Sequence, residues 1–170
     1  PYKDAYVRGG AYADYRFGTN GFIDICKSNA DNTYSGYMSF DANGFKNGVT
    51  KAVIRVYADT IEKSTARTIA LYECASEWSE TTLSKNTAPD LGKKITQLVV
   101  ENNTGAVRKG WLEFDITDYF KTIENGVFTV CFVDESGTAT NNNRVRINTR
   151  ENSLNRPTLV VTGQEMNYAP

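Results

Sequence analysis

At 170 residues the chain has the length of one domain with a sizeable core. Its 40% hydrophobic and 23% charged content is ordinary for a globular protein. The net charge of -1 gives no global pull toward nucleic acid or an anionic membrane, and no apolar run reaches the about 18 residues that a bilayer span needs.

In chain order, "PYKDAYV" opens without a leader peptide, as expected of an excised module or a mature product. Ten stretches then alternate with period two: "DAYVRGG", "FIDICKS", "YSGYMSFD", "TKAVIRVYADT", "RTIALYECA", "KKITQLVVEN", "KGWLEFDIT", "GVFTVCFVDE", "RVRINT" and "RPTLVVTGQ". Between them lie turn segments such as "GTNG", "ANGFKNG", "NNTG", "ENG", "SGTATNNN" and "ENSLNRP", where Gly and Asn supply positive φ. Ten short strands with polar connectors predict an all-β fold, an antiparallel β-sandwich. Only "DITDYFKTI" reads as helical, for one or two turns, with Thr117 as its cap and Gly126 at its end. The whole of 1–170 reads as one domain, with its core at 4–162 and the start of a linker at 163–170.

Alternation assigns faces. Ala52, Ile54 and Val56 share one side of their strand, against Lys51, Val53, Arg55 and Tyr57. Leu112, Phe114 and Ile116 oppose Trp111, Glu113 and Asp115. Phe128, Val130 and Phe132 oppose Thr129, Cys131 and Val133. Val145 and Ile147 point inward, and Arg144, Arg146 and Asn148 outward. Outward faces this rich in Arg and Tyr suit polysaccharide. Aromatic rings cover the apolar C–H surface of a sugar, and guanidinium forks pair with uronate or sulfate oxygens.

Histidine is absent, which removes the commonest general base and zinc ligand. Cys26, Cys74 and Cys131 lie far apart in apolar runs and read first as small buried hydrophobes, with one disulfide plus a free thiol left open. The Tyr content of 10, with abundant Asn, Gly, Thr and Ser, fits a secreted β-protein.

The segments "DAYVRGGAYADYRFGTNGFIDI", "GYMSFD", "AVIRVY", "WSETTLSKNTAPDLG", "GWLEFDITDY" and "NTRENSLNRPTLVVT", in this order, resemble the DNRLRE-type carbohydrate-binding modules, a family that includes alginate-binding modules of polysaccharide lyases. The resemblance covers roughly residues 4–162. It implies a jelly-roll sandwich, non-catalytic glycan binding, and secretion as part of a larger polysaccharide-degrading or cell-surface protein. One departure stands out: where the family commonly carries a second tryptophan after "WSE", this chain has Leu83 to Asn86.

Within that resemblance, "WSETT" (Trp78 to Thr82) is read as a loop anchor ahead of a sugar platform. Arg150 and Glu151 of "RENSLNRP" are read as a structural pair, and Arg156-Pro157 opens the last strand, where proline loses no central ladder bond. Trp111 is expected under the "WSETT" loop, with an exposed platform as the other reading. The ligand-binding candidates are Tyr37, Arg55, Tyr57, Arg67, Tyr72, Arg144 and Arg146, with Tyr34 beside them, on strands that could form one face. A structural Ca²⁺ could use oxygens of Asp4, Asn20 and Asp24, or of Asp115 and Asp118, although no EF-hand spacing exists. Glycoside hydrolysis would need two carboxylates about 5–10 Å apart in a cleft. Glu73, Glu77, Glu80, Glu113 and Asp115 are available for it, as such residues are in any chain of this size.

The sequence therefore predicts a non-catalytic, extracellular module for a plant or algal polysaccharide, with Arg and Tyr richness pointing to an acidic one such as alginate or pectin and a neutral β-glucan left open. Its expected partners are the polysaccharide and linked modules of a parent protein, with no nucleic acid or membrane, and a monomeric state. No cofactor is required. The alternative is a structural or adhesive sandwich of a cell-surface protein without a glycan site.

Overall fold

The structure, a computed structural model, describes residues 1–45, 48–62, 66–124, 126–136 and 143–163. The expected linker start at 163–170 falls outside these residues from 164 onward, as does most of the "SGTATNNN" turn.

Ten strands form: β1 (Lys3–Arg8), β2 (Phe22–Ile25), β3 (Tyr34–Asp41), β4 (Val49–Ile61), β5 (Arg67–Cys74), β6 (Leu91–Val100), β7 (Arg108–Asp115), β8 (Val127–Asp134), β9 (Val145–Asn148) and β10 (Thr158–Gly163). Each falls on one of the ten alternating stretches. Among the described residues one α-helix, α1, spans Thr117–Phe120, besides two 3-10 turns at Gly10–Tyr12 and Ala30–Asn32. Its cap differs from the expectation. Asp115, two residues upstream, accepts the Thr117 amide at 2.9 Å and the Thr117 hydroxyl as well, so Thr117 is the capped residue.

All pairings are antiparallel, in two sheets. The first runs β1-β3-β8-β5-β6. The second runs β10-β4-β9-β2, with β7 on the other flank of β4, so that Arg55 faces Thr158 on one side and Glu113 on the other. The sandwich core lies between them: Ala52, Ile54 and Val56 of β4 and Leu112 and Phe114 of β7 meet Ile69 and Leu71 of β5 and Phe128, Val130 and Phe132 of β8. Phe114 and Phe132 join the sheets edge to face at 5.5 Å. At one edge the layers nearly touch. A Cβ at Gly36 of β3 would lie 2.4 Å from Cγ2 of Ile23 on β2, so only glycine fits there.

Alternation holds on β7 and broadly on β4 and β9, except that Val53 and Asn148 of the expected outward faces are buried, Asn148 donating to the Leu154 and Asn155 carbonyls; it fails on β8, where Thr129 and Cys131 are as buried as their neighbours. The cause is the segment between β5 and β6, which folds over the outer face of the first sheet. Leu83, fully buried, packs on Ala5, Val7, Tyr37 and Cys131, with Trp78 and Ala88 at the margin. The Trp78 indole N–H donates to the Thr129 hydroxyl at 3.3 Å, and its ring meets Tyr37 edge-on at 6.1 Å. Lys3 fastens the segment from below, donating to the carbonyls of Ser76 and Trp78 at 2.7 and 2.6 Å beneath the indole. The molecule thus has a main core between its sheets and a smaller one outside the first sheet.

Candidate functional site

The expected ligand residues do not share one face; they fall in three places. Arg55 and Tyr57 lie on the outer face of β4 beside Trp111 and Glu113 of β7. Arg144 and Arg146 lie at the β9–β2 end of the same sheet. Tyr37, Arg67 and Tyr72 belong to the first sheet.

Trp111 is not covered by the "WSETT" loop, which lies over the opposite sheet; it is 40% exposed. Tyr57 stands edge-on to it at 5.4 Å, and the Arg55 guanidinium lies 4.7 Å from its ring while pairing with Glu113 at 2.7 Å. Lys109 and Asp59 pair at 2.8 Å nearby. This shelf is aromatic and open, and these four charges are neutralised by one another.

Arg144 and Arg146 are not free for a sugar acid. Both reach Asp24: Arg146 with two parallel bonds of 2.8 and 2.9 Å and Arg144 at 3.2 Å. Arg146 also lies 3.7 Å over the Phe22 ring. Two guanidiniums on the one buried carboxylate of Asp24 leave no negative charge there for a cation to balance. Asn20 turns its side-chain NH₂ to the Tyr6 hydroxyl, and its backbone carbonyl accepts from the Thr149 hydroxyl. The expected Asp4–Asn20–Asp24 cation site therefore does not assemble. Asp4 gathers with Glu80 and Glu151 instead.

Arg67 and Tyr37 are buried rather than displayed, at 6% and 3% exposure. Arg67 forks onto Asp134, with Nε at 3.0 Å, and also donates to the Lys27 carbonyl. Asp134 in turn accepts the backbone amides of Lys27 and Ser136. Tyr72 is tied to Glu135, as is Lys94. Burial pushes the Tyr37 phenol far above its usual range.

These ties surround a groove of about 710 Å³ on the outer face of the first sheet. Its floor is Ser35 and Tyr37 of β3 with Cys131 and Val133 of β8. One wall is the Lys27–Thr33 turn, held by the Arg67–Asp134 pair; the other is the end of the covering segment, Lys85 to Leu91. Tyr34 lines it directly, and Asp134 and Glu135 sit on its rim, so Arg67 and Tyr72 brace the groove from behind. Lys27 and Lys85 are exposed, one on each wall; among the described residues neither is in a close salt bridge, and Lys27 acts on Glu135 of the rim only through space. Periodicity could not find this groove, because the second wall comes from a segment with no strand pattern. A volume of this size is within the range usual for small-molecule and sugar sites, about 300–1,000 Å³.

A β-sandwich with a shallow groove on one sheet and an aromatic shelf on the other has the form of a glycan-binding module. The chain matches the model of carbohydrate-binding module family 96 over residues 1–163 and belongs to that family, whose modules bind carbohydrate and do not catalyse. No curated protein matches the sequence.

Proposed function

We propose that the module holds an acidic polysaccharide, of the alginate or pectin kind, in the groove between the Lys27–Thr33 turn and the Lys85–Leu91 segment. The observation that carries this reading is the pair of exposed lysines on opposing walls, outside any close salt bridge, above a floor offering the Ser35 hydroxyl. An ammonium on each wall suits carboxylates that recur along a uronate chain, and with water still present these contacts are weakened by salt. Of the groove's two exposed acids, Glu135 is paired with Lys94, and Asp90 fits a sugar hydroxyl. Such a module, appended to a larger secreted protein, raises the local concentration of its linked domain on the polymer.

Affinity gels containing alginate or polygalacturonate test the proposal. The chain should be retarded, less so at higher salt, and the Lys27→Ala/Lys85→Ala variant should run freely with an unchanged melting temperature. Retardation of that variant equal to the parent's would refute the site; no retardation of the parent in any acidic gel would refute the ligand.

The shelf supports a second reading. Trp111 beside Tyr57 offers an aromatic platform to a neutral glycan such as a β-glucan. Retardation in β-glucan gels that is lost in Trp111→Ala would favour it. Membership of a carbohydrate-binding family speaks against a purely adhesive sandwich without a glycan site.

A further inference from the structure

Three carboxylates from distant parts of the chain converge where the covering segment wraps the free edge of β1. Oxygens of Asp4, Glu80 and Glu151 all lie within 4.8 Å of one another. Asp4 is 1% exposed, Glu80 is half-buried and Glu151 is open to solvent, so the group has a floor, a wall and a mouth.

Most of its polar atoms are accounted for. Glu80 accepts the Asp4 amide at 2.8 Å, which an edge strand would otherwise leave unpaired, and two guanidinium bonds from Arg150 at 2.9 and 2.7 Å. Asp4 Oδ2 accepts the Arg150 amide at 2.9 Å. Arg150 Nε also lies 3.1 Å from Glu151. Asp4 Oδ1 is the exception: it is buried and receives no N–H or hydroxyl donor among the described residues, facing instead the Glu151 carboxyl, and burial with that neighbour pushes the Asp4 pKa up to about 7. An acceptor left unsatisfied in that way is costly, and more so with carboxylate oxygens facing it. Lys3, a nearby cation, gives its ammonium to the Ser76 and Trp78 carbonyls.

We propose that Asp4, Glu80 and Glu151 bind one Ca²⁺, with Asp4 Oδ1 as its innermost ligand. The donor chemistry selects the ion. All donors are hard oxygens and the chain has no histidine, which favours an alkaline-earth ion over zinc. Two oxygens across a Ca²⁺ stand about 4.6–5.2 Å apart, given bond lengths of about 2.3–2.6 Å, and the cluster's span falls within that limit. Mg²⁺ demands near-octahedral geometry at shorter bonds and fits an irregular rim less well. Among the described residues Arg150 is the cation bonded to these carboxylates; the Pro1 amine and the Lys3 ammonium act on Asp4 and Glu80 only through space, so the carboxylate oxygens keep room for a divalent ion. Water completes the coordination at the mouth beside Glu151. The ion would tie β1, the covering segment and the loop after β9 into one corner of the sandwich. This inference does not depend on where the glycan binds.

Calorimetric titration of the EDTA-treated chain with CaCl₂ at pH 7.5, with thermal melts alongside, tests it. A 1:1 heat and a melting temperature that rises with Ca²⁺ are expected, with MgCl₂ binding at least tenfold more weakly. Glu151→Gln, an exposed change that should still fold, should weaken Ca²⁺ at least tenfold. Asp4→Asn, which keeps an acceptor for the Arg150 amide, should abolish the Ca²⁺ response. A folded parent chain that gives neither heat nor a melting shift would overturn the proposal. So would a Glu151→Gln variant that binds Ca²⁺ as the parent does. A chain that grows more stable as pH falls and is indifferent to Ca²⁺ would assign the cluster to a shared proton and also overturn it.

Discussion

The outer face of β1, β3 and β8 carries Ala5, Val7, Tyr37 and Cys131 and lies under the segment that contains Trp78 and Leu83. The outer face of β4 and β7 carries Arg55, Tyr57, Trp111 and Glu113 and lies open. Both are outer faces of five-stranded sheets, yet one is a second core and the other is surface. The covered face gains a groove because its cover is incomplete: the segment stops at Leu91, and the gap between it and the Lys27–Thr33 turn is the concavity. A flat face offers a glycan one side of contact, whereas a partly covered one offers two walls and a floor. Covering a sheet face can thus serve stability and binding together, and changes on that face should cost more than changes on the open one.

The largest effect is expected from Arg67→Met. It keeps most of the side-chain volume but leaves Asp134 charged, almost fully buried and without its guanidinium. Breaking one partner out of a buried pair costs about 3–5 kcal/mol. The lower end applies, because the Lys27 and Ser136 amides still solvate the carboxylate. Urea unfolding should read the loss. The same variant releases the Lys27 carbonyl, so acidic-glycan retardation should weaken as well. Leu83→Ala should follow at about 2–4 kcal/mol, as for other leucines truncated in a packed core. Its distinguishing readout is the Cys131 thiol, buried in the parent, which should become reactive to a thiol reagent in the folded variant. A stability loss below about 1 kcal/mol would mean that the covering segment is surface dressing.

Alkaline pH sharpens the same contrast. Burial raises the Tyr37 phenol far above its usual value near 10 and pushes Tyr119 up to about 12. In the unfolded chain these phenols ionise near pH 10; in the fold they hold their protons. The unfolded state therefore binds fewer protons above pH 10, and stability falls as pH rises. The contribution is intact below pH 10. For Tyr37 it is lost at about 1.4 kcal/mol per pH unit above it. Unfolding midpoints measured between pH 9 and 12 should stay level up to 10 and then drop. A level midpoint throughout would show that the phenol reaches solvent.

The sequence made one of these faces far more legible than the other. Period two located all ten strands, since each has an inner face that must be apolar, and it sorted Ala52, Ile54 and Val56 from Arg55 and Tyr57 on β4. On β8 it sorted correctly but could not say that the second face was also buried. That burial is caused by residues some fifty positions away that have no periodicity of their own. The motif residues "WSE" and "RE" were legible as structural, and the fold gives the reason: Glu80 and Arg150 clasp each other at the edge of β1. Arg144 and Arg146 were read as outward, and they are. Their partner Asp24 lies directly across the ladder from Arg146, a register that no local pattern encodes. Asp4 was legible as a candidate cation ligand only by type. Its companions Glu80 and Glu151 lie 76 and 147 positions away, and tertiary structure alone brings them together.

The smallest effects belong to the open shelf. Arg55 and Glu113 face each other across β4 and β7 with side chains 37% and 58% exposed. An exposed pair of this kind contributes about 0.2–1 kcal/mol, because water and salt screen it and both side chains lose rotamer freedom. A double-mutant cycle with Arg55→Ala and Glu113→Ala should therefore give a coupling within that range, shrinking further at high salt. Trp111→Ala should cost somewhat more than either, through lost contact with Tyr57 and the Arg55 stem, yet remain well below Leu83→Ala. If Trp111→Ala instead destabilised the chain as much as Leu83→Ala, the shelf would be a packed element and not a free surface. If it left stability nearly unchanged and abolished binding to a neutral glucan, the open face would be the functional one. The groove would then serve chiefly to seat the covering segment.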